Sequence, residues 1–177
     1  GHNSPKLTFF KTIHKVKAKI NNLDVIRKAL EVISKDEAAR TCTSLIETSV
    51  PDLVVAFQRL CECVYPQIEG AKPLKRNVFQ RLDGGNKLWH DLVGKGYDDW
   101  ITDVQYAKLR KCFQQRHLLQ HQDGIVDQDY ISKSGDVSYQ VGQHLIIKPE
   151  DITEYAGIVE ALGKQVLALL EEVKVNE

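Results

Sequence analysis

At 177 residues, 42% of them hydrophobic and 27% charged, the chain suits one domain with a sizeable core and leaves little room for a second. Lysine plus arginine and aspartate plus glutamate number 24 each, so the whole molecule carries no bias toward nucleic acid, anionic membrane or acidic substrate, and any polyanion has to be met by a local patch. Apolar stretches such as 50–57 and 166–170 are far too short to cross a bilayer and no secretory pattern opens the chain, which sets the expectation of a cytoplasmic protein without membrane partners.

The sequence lacks methionine and begins Gly1-His2-Asn3-Ser4-Pro5, which reads as an expression remnant or the edge of a piece cut from a longer protein. Cys42, Cys61, Cys63 and Cys112 match no zinc spacing and are too sparse for a disulfide framework, so they are expected as reduced, mostly buried thiols.

Phe9, Ile13, Val16 and Ile20 recur at helical spacing, and Lys6, Lys11, Lys15, Lys17 and Lys19 take the remaining positions, which predicts an amphipathic first helix. Its lysines could touch RNA, but a solvated face is the simpler reading. Leu23, Ile26, Leu30 and Ile33 predict a short second helix. Ser34 and Glu37 have capping-box spacing and open a helix to about Thr48. Ser49, Pro51 and Asp52 then read as a fresh start, since proline is tolerated in a first turn, with Leu53, Phe57, Leu60 and Val64 as the buried stripe. Pro66, Gly70 and Pro73 punctuate its end.

The stretch 77–92 is helical in pattern, but Asp83-Gly84-Gly85 predicts a break into two short helices, the second stopped by Gly94 and Gly96. Thr102 and Gln105 form another capping box, and a long helix runs from there to about Gln122, where Asp123-Gly124 supplies a stop. Over 125–145 the helical period is lost and Val137, Tyr139 and Val141 alternate, which fits a small β-hairpin or an ordered loop. Pro149-Glu150-Asp151 starts a final helix with Ile152, Tyr155, Val159, Leu162, Val166 and Leu169 on its core face. The fold class is therefore mainly all-α, in a single domain over 1–177.

The chemistry gathers at the end of the long helix. Arg116 follows Leu109 by seven residues, which returns it nearly to the apolar face of Leu109, Cys112 and Phe113. A guanidinium there must meet a carboxylate, line a wet groove or wait for an anion, because an unpaired buried charge is expensive. His121 lies in the last turn, where free carbonyls favour the imidazolium; it reads as an acid or base near neutral pH, or as a plain C-terminal cap. His117 and His121 stand four apart and could hold a metal as a pair, with His144 and Asp127 the nearest thing to further ligands, but no Glu lies between them and the reading is no metal site. Cys112 in a core stripe reads as packing rather than as a nucleophile. The Gly84-Gly85 pair lacks the strand and the following Lys-Ser/Thr of a phosphate-binding loop.

The run Arg116-His117-Leu118-Leu119-Gln120-His121 resembles the arginine, polar residue, spacer and histidine motif of HEPN domains, helical domains of many prokaryotic ribonuclease toxins and defence proteins. Phe113-Gln114-Gln115 before it, 122–131 after it, and Val141-Gly142 followed by a proline-started helix also look like one branch of that family; the resemblance covers about 88–170. It implies an antiparallel helical bundle that dimerises so that two motifs face one another across a cleft and cut RNA, tRNA or mRNA, without metal or cofactor. In that scheme His121 acts on the ribose 2′-hydroxyl or leaving oxygen, Arg116 holds the scissile phosphate, and His117 orients the site or touches the phosphate. Gln120, Arg110 and Lys111 are auxiliary candidates, the last two widening the basic patch. The competing reading is a non-catalytic HEPN interaction module, or a regulated partner in a toxin–antitoxin or defence pair, which the balanced charge favours.

Overall fold

The structure, a computed structural model, describes residues 4–175; Gly1, His2 and Asn3, on which part of the reading of the chain's start rests, lie outside them. Eight α-helices and two single 3-10 turns make up the regular structure of the described residues, and no strand occurs among them. No helix among them is long and apolar enough to cross a membrane. The helices are α1 (Ser4–Asn21), α2 (Leu23–Glu31), α3 (Lys35–Val64), α4 (Leu82–Val93), α5 (Tyr97–Trp100), α6 (Asp103–His121), α7 (Gln128–Ser134) and α8 (Pro149–Val175).

The bundle is built on α3. Helices α1 and α8 pack against it and against each other, and α6 closes the other side by packing on α3 and α8. Phe9, Ile13 and Val16 of α1, Leu53, Phe57 and Leu60 of α3, Leu109 and Cys112 of α6, and Ile152, Val159, Leu162 and Val166 of α8 are all buried, as their helical spacing predicts. Close approach of α1 and α8 depends on Gly163, where a Cβ would collide with the Phe9 ring. Cys42, Cys61 and Cys112 are buried thiols, and Cys63 is half-buried.

Three predicted boundaries are corrected. First, α3 does not restart at Pro51 but passes through it. Proline removes the amide that would bond to the carbonyl four residues earlier, a loss of about 3 kcal/mol in a helix interior. Against it stand Ile46, Val50, Leu53, Val54 and Phe57, buried on both sides of the proline, so a continuous helix keeps one unbroken stripe in the core. The hydroxyls of Thr48 and Ser49 turn back to the carbonyls of Ser44 and Leu45, at 2.9 and 2.8 Å. At the start of α3 only half of the expected capping box forms: Ser34 Oγ accepts from Glu37 N–H at 3.2 Å, but the Glu37 carboxylate accepts from Arg40 instead.

Second, Asp83-Gly84-Gly85 does not split 77–92. The break falls earlier, at the extended Arg81 between the 3-10 turn Val78–Gln80 and α4, and both glycines lie in the first turns of α4. Gly85 is there for space: a Cβ on it would lie 2.8 Å from the Tyr97 hydroxyl and 3.1 Å from the Phe79 ring.

Third, 125–145 holds a short helix inside an ordered loop and no hairpin. Asp127 caps α7 by accepting from Tyr130 N–H at 2.8 Å, and Gly135 ends it in the left-handed conformation. The β-like contact is one isolated bridge, Ile125 with His144, flanked by Val126 N–H to Gln143 O and Leu145 N–H to Gly124 O at 2.8 Å each. Val137 is 90% exposed, so the alternation there carries no buried face.

Candidate functional site

Helix α6 is fixed at its start by a complete capping box, Thr102 Oγ1 accepting from Gln105 N–H at 3.1 Å and Gln105 Oε1 from Thr102 N–H at 2.9 Å. Asp123 and Gly124, both at positive φ, stop it, with Gly124 N–H bonded to Leu118 O. Between these ends Leu109, Cys112 and Phe113 anchor the helix in the core and carry Arg116 down with them, to 6% exposure.

Among the described residues the side chain of Arg116 has no carboxylate partner. Its Nη1 donates to Gln120 Oε1 at 3.1 Å, one turn on, and its Nε is buried with no acceptor. Burial lowers its proton affinity from the ordinary arginine value and no acid offsets that, yet a guanidinium keeps its charge at neutral pH. Of the three fates open to this residue, the ion pair does not occur, and Arg116 instead lines a depression of about 600 Å³.

His117 and His121 line the same depression, their rings 4.7 Å apart at 50°. Desolvation, with the charges of His121, Arg116 and Lys133, pulls the His117 pKa below the usual histidine value against the opposing Asp127. Around these three stand Arg81, Arg110 and Lys133, contributed by the residue before α4, by α6 and by α7, with Asp83 the single carboxylate in the wall among the described residues. Asp83 accepts from the Tyr106 hydroxyl at 2.7 Å and lies 3.8 Å from Arg110, whose guanidinium also rests over the Tyr106 ring.

The other candidates fall as follows. Gln120 holds Arg116, and Arg110 reaches the depression although Asp83 partly neutralises it. Lys111 does not line it; its Nζ lies 3.9 Å from Asp136 Oδ2 instead. Asp127 is used as the cap of α7 and His144 in the bridge, and among the described residues no third ligand joins His117 and His121. Burial pushes the Cys112 thiol far above its usual pKa, so it offers no thiolate.

Arg81 and Lys133 lay beyond sequence reasoning, because only folding brings them to the end of α6. So did a buried network that places α7: Tyr155 OH donates to Gln115 Oε1 at 2.9 Å, Gln115 Nε2 to Tyr130 OH at 3.4 Å, and Tyr130 OH to Asp136 Oδ2 at 2.9 Å. Gln115, next to Arg116 on a core-facing turn, was the one signal for it. A larger cavity, about 880 Å³ between α1 and α3, holds Lys15, Lys19, Arg59, Asp52 and Glu62. Its charges are mixed and none of the described residues lining it is a histidine, so chemistry rather than size singles out the depression at Arg116.

The fold and site define an all-α bundle with an arginine–histidine depression at the end of one helix. Comparison of the chain with protein-family models, with curated proteins and with solved structures finds no match.

Proposed function

We propose that the chain is a metal-independent endoribonuclease of HEPN type, a toxin or defence effector that cuts RNA by attack of the ribose 2′-hydroxyl. The observation that carries the reading is Arg116: a guanidinium nearly buried, without an acid partner, lining the same depression as two imidazoles. An unpaired buried charge is tolerated where an anion completes it, and a guanidinium fork matches two phosphate oxygens. His121 takes the 2′-hydroxyl proton or returns one to the leaving 5′-oxygen, and His117, with its lowered pKa, is a neutral acceptor beside it. Internal attack needs no external nucleophile, so these groups and the surrounding cations suffice; the products are a 2′,3′-cyclic phosphate and a 5′-hydroxyl. A homodimer that faces two such depressions across its axis would supply both imidazoles of an acid–base pair and double the local positive charge.

The test is incubation with total RNA and tRNA in EDTA, beside Arg116→Ala and His121→Ala variants checked for folding by circular dichroism. Cleavage by the unmodified chain alone, with cyclic-phosphate ends, is expected, and each substitution should lower the rate at least about 100-fold, the usual scale of one acid–base or charge-stabilising group. A second reading, an interaction module in a toxin–antitoxin or defence pair, draws on Asp83, a carboxylate within the depression that opposes a polyanion. RNA or protein binding without cleavage would favour it, and cleavage only with added Mg²⁺ or Mn²⁺ would count against both the motif and the mechanism.

A further inference from the structure

The last turn of α4 and the first turn of α5 meet at a second polar cluster, about two turns along α4 from Asp83. His90 Nε2 lies 2.6 Å from Asp98 Oδ1 and 3.6 Å from Asp99 Oδ2, so one imidazole nitrogen and two carboxylates converge within 4.8 Å of one another. One turn before His90, on the same face, Asn86 presents Oδ1 buried with no donor. A Cβ on Gly96 would collide with Asn86 Oδ1 and lie 2.8 Å from His90 Nε2, so glycine is what lets both side chains pack together against the start of α5. The Gly96 N–H in turn donates to Asp99 Oδ2 at 3.0 Å and fixes that carboxylate toward the cluster.

We propose that His90, Asp98 and Asp99, with Asn86 Oδ1 as fourth donor, form a structural site for a divalent transition-metal ion of the zinc class, tying α4 to α5. Hydrogen bonding accounts for the two carboxylates, Asp98 through His90 Nε2 and Asp99 through the Gly96 N–H, but leaves Asn86 Oδ1 with no donor. A dication serves all four. Tetrahedral zinc with ligands near 2.0–2.2 Å places its donors about 3.3–3.6 Å apart. The His90–Asp99 spacing of 3.6 Å already meets that value, and the His90–Asp98 spacing of 2.6 Å has to open by about 0.7–1 Å to convert the hydrogen-bonded cluster into a coordination shell. One imidazole with three oxygens selects zinc, cobalt or nickel over magnesium and calcium. Four protein donors close the shell, which marks a structural rather than a catalytic ion. Its position stitches the ends of the segment that packs Trp89, Tyr97 and Trp100 together.

The test is calorimetric titration of the metal-stripped chain with Zn²⁺, with Co²⁺ as the visible probe. Asp98→Asn and Asp99→Asn keep the hydrogen bonds to His90 and to Gly96 N–H while removing charge, so they fold whether or not the site binds metal; His90→Ala removes the nitrogen. One ion per chain is expected, with a melting point raised by Zn²⁺, a tetrahedral Co²⁺ spectrum free of thiolate bands, and affinity lowered more than about tenfold by either asparagine. Affinity unchanged in both asparagine variants, thiolate bands in the Co²⁺ spectrum, or binding abolished by His117→Gln/His121→Gln instead would overturn the assignment.

Discussion

An imidazole one helical turn from a second one and beside fixed cations does not keep its proton at the ordinary pH. For His117 partial burial, then His121, Arg116 and Lys133, disfavour the charged form, and Asp127 only partly compensates. A histidine whose folded pKa is lowered binds fewer protons in the folded than in the unfolded state. Its neutral form is therefore fully compatible with folding above the unfolded value near 6.5, and stability is lost as pH falls through 6.5 toward the lower folded value. We expect the His117 ring to titrate below pH 6.5 by NMR, Lys133→Ala to move that midpoint upward, and His117→Asn to flatten the acid limb of stability. A midpoint above 6.5 would mean that Asp127 outweighs the three cations and that His117 is not the neutral partner in the depression.

At the scale of elements, the outcome at Pro51 shows which force shapes α3. The ring removes one backbone hydrogen bond, and the helix continues because the buried residues on either side would otherwise leave the core. Pro51→Ala restores the amide and a good helix former, worth up to about 3 kcal/mol, and gives back up to about 1 kcal/mol by freeing the unfolded chain. The variant should be more stable by roughly 1–2 kcal/mol, a rise in melting temperature of about 2–4 °C per kcal/mol for a domain of this size. A lower melting temperature would show that the proline ring itself fills a gap beside α1. The same contest explains what was legible in the sequence. The long helices α1 and α8 declare themselves by their period, and α6 by the capping box of Thr102 and the stop at Asp123-Gly124, because local preference and burial agree there. Pro51 and Gly84-Gly85 mislead because packing overrides the local preference at each. Helix α7 hides because seven residues are too few to establish a period, and its evidence is a cap, Asp127, and a stop, Gly135. For the site, the offset from Leu109 places Arg116 on the core face correctly, whereas Lys111, only five residues earlier, turns to Asp136.

For the whole molecule, the proposed hold on RNA requires a chain with no net charge to concentrate its positive field, and the depression gathers Arg81, Arg110, Arg116 and Lys133 against Asp83. On the proposed dimer two such patches face one substrate, which makes oligomeric state and salt dependence linked quantities. Each phosphate neutralised on a single strand lowers the binding constant with a slope of about −0.7 in log K against log salt. A monomer using three net cations should give a slope near roughly −2, and a dimer clamping one strand with both patches near roughly −4. Light scattering at micromolar concentration should return twice the 20.1 kDa chain mass, and binding of a non-cleavable 2′-deoxy oligonucleotide should show the steeper slope. Arg81→Ala, which removes a cation from each patch, should make the slope of the dimer shallower by about 1.4 without changing its mass. A strict monomer with the shallow slope would remove the composite site and leave each depression to act alone; a dimer with the shallow slope would place the two depressions apart, on an interface other than the one the motif requires.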